Sequence, residues 1–305
     1  MTAEPVEPGT RCGFVAIIGA PNAGKSTLLN QLVGSKVAIV TQKVQTTRTR
    51  LRGIVIEGDA QIIVVDTPGI FAPRRRLDEA MVHAAWAGAA EADAVILLVD
   101  ARFGLDEQAE LVIAGLEKAN VKPILVLNKI DLIRRETLLE VVKAFNERWP
   151  FAATFLISAI TGDGVADLRA DVAARMPPGP WLYPEDQVAD VPLRLLAAEI
   201  TREKLFLRLH EELPYASTVE TETWTERKDG SVRIDQVIYV EREGQRKIVL
   251  GKGGQTIKAI GQAARTDIAE LVGQPVHLFL FVKVRSAWTS DPERLRIIGL
   301  EPPRR

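Results

Sequence analysis

Between residues 19 and 26 the chain reads Gly19-Ala20-Pro21-Asn22-Ala23-Gly24-Lys25-Ser26, directly behind the apolar run Phe14-Val15-Ala16-Ile17-Ile18. Few architectures accommodate that succession. The stretch fits G-x-x-x-x-G-K-[ST], a turn whose glycines let successive backbone amides point inward at phosphate oxygens. A helix opening at Ser26 and Thr27 adds the partial positive charge of its amino terminus. In this setting Lys25 reaches the β- and γ-phosphates and Ser26 ligates Mg²⁺. Strand, phosphate-binding turn and helix together predict an α/β domain, because a strand feeding a helix returns to a parallel neighbour.

The next 150 residues continue that rhythm. Apolar runs recur at 62–65, 94–99, 124–127 and 154–157, rich in Ile, Val and Leu and not alternating with polar residues. Such runs suit strands covered on both faces. Helical patterns lie between them, for example at 106–119 and 136–149. The expectation is a doubly wound, mostly parallel sheet over residues 11–176, after a flexible extension at 1–10.

A phosphate loop alone does not choose between ATP and GTP. Three later motifs do, each at the carboxyl end of an expected strand, where open α/β sheets bind ligands. Asp66-Thr67-Pro68-Gly69 follows the run at 62–65. Asp66 is placed to hold Mg²⁺ and Gly69 to offer its amide to the γ-phosphate. Asn128-Lys129-Ile130-Asp131 follows the run at 124–127. The Asp131 carboxylate can accept from guanine N1–H and the 2-amino group, a donor pair adenine lacks. Asn128 can bond the base edge or neighbouring loops, and the Lys129 stem can lie along the ring. Ser158-Ala159-Ile160 follows the last run, and the Ala159 amide can read guanine O6. Gln45-Thr46-Thr47-Arg48, ahead of a strand-like segment at 53–56, fits a first switch. There a threonine completes the Mg²⁺ shell when γ-phosphate is present. Thr47 is favoured, with Thr46 close behind. Ile70, directly after Gly69, cannot orient an attacking water as a glutamine does in Ras-type enzymes, so slow intrinsic turnover is expected. The triplet Arg74-Arg75-Arg76 in the second switch could contact RNA or act as a finger, and reads first as a solvated basic loop.

Residues 177–190 contain Pro177, Pro178, Pro180 and Pro184 and read as an interdomain linker without regular structure. The pattern then changes. A helix is expected over 191–213, with Leu205, Leu209 and Leu213 on one stripe. Strands follow over 217–226 and 231–241, joined through Asp229-Gly230, a strong hairpin signal. Gly251-Lys252-Gly253-Gly254 precedes a helix over 255–271 and a final strand over 276–285. This is a small α+β domain. Phe279, Phe281, Lys283 and Arg285 share one side of the last strand, where packing or plain solvation is expected before base stacking, and His277 and Trp288 read as packing residues.

Composition excludes more than it selects. The net charge of −1 names no partner, although residues 191–305 carry 19 Lys and Arg against 16 Asp and Glu, a balance of +3, and residues 1–190 carry 20 against 24, a balance of −4. Cys12 is the lone cysteine, so no internal disulfide or Cys-x-x-Cys metal site forms, which suits a reducing compartment. No basic-then-apolar leader and no apolar run of about 18 residues is present.

The first domain resembles the translation-factor-related GTPases in its four motifs, and G-x-x-G in a helix–strand–strand–loop–helix–strand order resembles the KH domain variant common in bacteria (type II). The combination resembles the Era family of bacterial GTPases over about residues 11–300, including Glu211-Glu212-Leu213-Pro214-Tyr215. Ala23 and Leu250 depart from the usual valine and isoleucine, and the arginine triplet is unusual. The resemblance implies GTP hydrolysis with Mg²⁺, K⁺ beside the phosphates at Asn22, and binding of single-stranded RNA by Gly251, Lys252, Gly253 and Gly254. It implies the 3′ end of 16S rRNA as partner, in assembly of the 30S subunit, favoured by GTP and released on hydrolysis. It further implies a cytoplasmic monomer with weak peripheral association at the inner membrane, and no DNA partner. The alternative is an RNA-modification or regulatory GTPase whose KH domain takes another RNA or a protein. A tRNA-modification GTPase shares Thr-Thr-Arg and Ile70 but ends in a cysteine region that this chain lacks.

Overall fold

The computed structural model describes residues 9–41, 43, 47–48, 51–73, 75–209, 213–286, 288, 291 and 300. They fall into two compact units, one comprising Met1–Ala38, Thr47–Asp190 and Ile298–Arg305, the other Ile39–Thr46 and Val191–Ile297.

The first unit is built on six strands: β1 (Arg11–Ile18), β2 (Leu51–Glu57), β3 (Ala60–Asp66), β4 (Ala94–Asp100), β5 (Ile124–Asn128) and β6 (Ala153–Ile157). They lie in the order β2-β3-β1-β4-β5-β6, with β2 antiparallel to β3 and every other pairing parallel. Helices α1 (Lys25–Val33), α2 (Arg76–Ala90), α3 (Glu107–Ala119), α4 (Arg135–Arg148) and α5 (Val165–Arg175) connect them. The apolar runs of β3 and β5 are buried along their whole length, as expected, whereas in β6, at the end of the sheet, only Ile157 is buried and the run at 154–156 stays half-exposed. A core of Ala16, Ile18, Leu97, Val112, Leu125 and Phe145 joins the middle strands to α3 and α4. Asp106 caps α3, its carboxylate accepting from the Ala109 amide. In α2 the bond runs the other way: Asp78, three residues into the helix, accepts from the amide of the capping residue Arg75 at 3.1 Å, while Arg74 lies outside the described residues.

The proline-rich segment has no helix or named strand, yet it is fastened to the first unit. Gln61, fully buried in β3, accepts from the Leu182 and Tyr183 amides at 2.8 and 3.0 Å and donates to the Tyr183 carbonyl at 2.8 Å. The Ile54 amide donates to Val188 and the Asp190 amide to Arg52, so the segment covers the β2 edge. A glutamine inside an otherwise apolar strand is satisfied here by turn backbone, as burial requires. Composition alone showed the absence of regular structure and not this docking.

The second unit has α6 (Leu193–Arg208), β7 (Ser217–Glu226), β8 (Val232–Val240), α7 (Glu243–Leu250), α8 (Gln255–Val272) and β9 (Val276–Val284). The sheet runs β7-β8-β9, antiparallel then parallel, with the parallel pair crossing over through α7 and α8. Leu205, Val219, Ile238, Val249 and Ile260 form its core. Two expectations are corrected. The helix expected over 191–213 ends at Arg208, while Leu209 and Leu213 still enter the same core from the following turn. Helix α7 was not expected at all: it has eight residues, a single buried one, Val249, and Ile248 standing exposed, too little for a periodic signal.

Candidate nucleotide site and glycine loop

The phosphate loop joins β1 to α1. Gly24 holds φ 103° and ψ 22°, and a Cβ there would lie 2.3 Å from Asn128 Nδ2, so only glycine fits. Asn22 also adopts a left-handed conformation, φ 64°. The Lys25 ammonium turns back into the loop, donating to the Gly19 and Ala20 carbonyls at 3.2 and 2.9 Å. Burial lowers its pKa to about 8, against the opposing pull of Asp66. Phosphate bound at Lys25 restores the charged form, so the complex holds its proton to higher pH than the empty site. GDP affinity is therefore expected to be flat below pH 8 and to fall by up to about tenfold per pH unit above it. Titrations between pH 6.5 and 9 check this, and a Lys25→Ala profile should be flatter.

Ser26, Thr47 and Asp66 converge. Ser26 Oγ donates to Asp66 Oδ2 at 2.6 Å, Thr47 Oγ1 donates to the same oxygen at 3.1 Å, and the two hydroxyls are 2.7 Å apart. Asp66 is fully buried and its Oδ1 has no hydrogen-bond partner among the described residues. Burial raises its pKa, opposed by Ser26, Lys25 and Thr47. A buried, unsatisfied carboxylate oxygen beside two hydroxyls is a hard-oxygen set suited to Mg²⁺. The structure places Thr47 there; Gln45 and Thr46 lie outside the described residues. Arg48 is buried.

The Thr67 hydroxyl donates to the Ile17 carbonyl at 2.7 Å, which ties the second switch to β1. Gly69 stands against Pro21, and the Ile70 amide donates to the Gly19 carbonyl at 3.0 Å, so the second switch touches the phosphate loop. The Ile70 side chain is buried in the core.

Asn128 connects the two ends of the site. Its Nδ2 donates to the Ala23 carbonyl at 2.8 Å and its Oδ1 accepts from the Ala159 amide at 2.9 Å. The Ala159 amide, expected to read guanine O6, is thus committed to Asn128 in this structure. Ser158 is buried, its hydroxyl accepting from Thr161 at 3.3 Å, while Ile160 is exposed at the lip. Asp131 lies exposed in the turn Ile130–Leu132. Lys129, at φ 67°, donates from Nζ to the Asn22 carbonyl and to Asp100, both at 2.7 Å. Asp100 and its partner Arg102 carry no motif that sequence reading could have flagged.

In the second unit Gly251, Gly253 and Gly254 have φ of 72°, 60° and 76°, with Lys252 exposed between them. A Cβ on Gly251 would lie 2.1 Å from Thr256 Oγ1, so the loop packs closely on the start of α8. Phe279 and Phe281 are exposed, with the Arg233 guanidinium 4.8 Å from the Phe279 ring. Lys283 and Arg285 are paired with Glu222 and Asp291. Trp288 packs as expected, donating from Nε1 to the Ala216 carbonyl, whereas His277 is exposed.

An open sheet with a phosphate loop, Asp-x-x-Gly and Asn-Lys-x-Asp at its strand ends defines a P-loop GTPase, here followed by an αββααβ module with a glycine loop. Comparison with known proteins agrees with both parts. A family model described as 50S ribosome-binding GTPase matches residues 14–129, and one described as KH domain matches 212–289. The GTPase Era of Afipia carboxidovorans is 65% identical over 304 residues, covering 100% of this chain and 98% of that protein. The GTPase Era of Brucella suis biovar 1 is 63% identical over 294 residues, covering 96% and 94%. Among solved structures, an Aquifex aeolicus Era variant bound to GDP·AlF4⁻ is 38% identical, with a TM-score of 0.90 over 95% of this chain and 99% of that one. Era in complex with MgGDPNP and nucleotides 1506–1542 of 16S ribosomal RNA is also 38% identical, with a TM-score of 0.91 over the same shares. The chain belongs to the Era family and is a GTP hydrolase.

Proposed function

We propose that this GTPase couples its nucleotide state to binding of the single-stranded 3′ end of 16S rRNA during assembly of the 30S subunit, acting in the cytoplasm. The observation that carries this reading is a nucleotide site with converging Ser26, Thr47 and Asp66 in the same chain as an exposed, lysine-bearing glycine loop. KH glycine loops hold about four nucleotides by close backbone approach. The relative crystallised with MgGDPNP and 16S rRNA supports the choice of RNA.

In this mechanism Lys25 and the loop amides hold the phosphates. Ser26, Asp66 and Thr47 would hold Mg²⁺, which would supply positive charge to offset that of the phosphates. Thr47 and Gly69 respond to the γ-phosphate, and Asp131 selects guanine. Since Ile70 is buried, water is placed by backbone or by a partner, and intrinsic turnover is slow. Asn22 further points to K⁺ beside the phosphates in place of an arginine finger; equal hydrolysis rates in K⁺ and Na⁺ would remove that element.

The test is binding of a short RNA copying the 3′ end of 16S rRNA, with GDP and with a non-hydrolysable GTP analogue, at fixed salt because phosphate contacts are salt-dependent. Gly253→Asp is an informative control. A Cβ at Gly253 meets nothing within 4 Å, and Asp tolerates its left-handed backbone, so the variant adds charge without a clash. Binding favoured by the analogue and weakened at least about tenfold in Gly253→Asp is expected. RNA affinity identical in both nucleotide states would refute the coupling, and no binding in either would redirect the search to a protein partner.

A further inference from the structure

Asp100 ends β4, in register with Asn128 on β5. Its carboxylate is nearly buried and accepts four hydrogen bonds. Arg102 grips it with Nε at 3.0 Å and Nη2 at 2.7 Å, and the Arg102 amide adds a bond at 3.1 Å. Lys129 Nζ supplies the fourth at 2.7 Å. Burial pushes the carboxyl up, but Arg102 and Lys129 outweigh it and hold it below the usual range.

What this anchor does follows from the far side of Lys129. The same ammonium donates to the Asn22 carbonyl, in the middle of the phosphate loop. Lys129 and Asn22 are both non-glycine residues in the left-handed region. Asn adopts that region readily, but for a lysine it is costly and persists only where surroundings over-determine it. Here the surroundings are one ammonium held between a fixed carboxylate and a loop carbonyl. Without Asp100, Lys129 keeps a carbonyl as its sole partner in that pair and is free to turn toward solvent.

We propose that Asp100 is a positioning residue of the nucleotide site: by holding the Lys129 ammonium against Asn22 it locks the phosphate loop and keeps the Lys129 stem alongside the purine. This rests on the assignment of the site as a guanine-nucleotide site. Arg102 fixes the carboxylate and so acts one step further out. The role concerns retention of GDP and GTP alike, since neither Asp100 nor Arg102 distinguishes a γ-phosphate.

The test is the dissociation rate of a fluorescent GDP analogue from the full chain with Mg²⁺, for wild type, Asp100→Asn, Lys129→Ala and the double variant. Loss of a charged hydrogen bond predicts dissociation roughly 10- to 100-fold faster in each single variant. The double variant is expected to be no faster than the faster single one, because Asp100 acts through Lys129. A merely structural Asp100 would instead add its effect to that of Lys129→Ala, and additivity or an unchanged Asp100→Asn rate overturns the proposal. Asp100→Glu, which keeps the charge, should return the rate to within about threefold of wild type by the same reasoning; a Glu variant as fast as Asn counts against the charge, and should Asn fail to fold, Asp100→Ser takes its place in the cycle with the same outcomes. Wild type that does not bind GDP would overturn the site assignment itself, a separate outcome.

Discussion

Asp131→Asn is expected to turn the site from GTP toward XTP. The carboxylate can accept two bonds from guanine, at N1–H and the 2-amino group, and asparagine replaces one acceptor by a donor. That donor suits the 2-oxo group of xanthine and opposes the amino group of guanine. Sites built to hydrogen-bond a ligand reject analogues that mismatch them by large factors, so GTP affinity should fall on the order of 10³-fold while XTP affinity rises. Asp131 is exposed in a short turn, so the apo protein should melt within about 0.5 kcal/mol of wild type. Competition titrations with GTP, XTP and ATP decide it; retained GTP preference would mean that another group reads the base.

Gly24→Ala should be nearly as damaging with one methyl group. At φ 103° an L-residue is strained, and its Cβ would lie 2.3 Å from Asn128 Nδ2. Asn128 must then move, and it ties the Ala23 carbonyl to the Ala159 amide. Backbone strain costs about 1–3 kcal/mol and the two hydrogen bonds about 1 kcal/mol each. A total of about 3–5 kcal/mol corresponds to roughly 10²-fold to several 10³-fold weaker GDP binding, if the loss falls on the bound state. Because ligand stabilisation depends on the ratio of free ligand to its dissociation constant, the GDP-induced rise in melting temperature should vanish at GDP concentrations that saturate wild type. A full GDP-induced rise would show that the loop accommodates the methyl.

Both variants act at residues that were legible before any coordinates, and the reason is local. A phosphate loop works through consecutive amides and one lysine, so its chemistry is written in eight adjacent letters. Asp66, Asn128 and Asp131 likewise sit immediately behind apolar runs that can only be buried strands. The α/β class, the alternation of strands and helices in the first unit, and the glycine loop at 251–254 followed from the same contiguous patterns.

Other features depend on which strands lie side by side. Thr47 and Asp66 meet because β2 lies antiparallel beside β3, which pairs Leu51 with Asp66, and Ser26 joins them because β1 lies on the other side of β3. Asp100 meets Lys129 because β4 lies beside β5. Gln61, a polar residue buried in β3, has its hydrogen bonds met because the proline-rich segment folds back onto it. Helix α7 forms although its own eight residues bury only Val249, because the parallel crossover from β8 to β9 sets it against α8 and the sheet. The sequence by itself determined the chemistry each motif can perform, since that depends on neighbouring atoms along the chain. Tertiary structure alone decided which charges pair and which loops are held, since those depend on sheet order, and sheet order is the joint outcome of burying all the apolar strands at once.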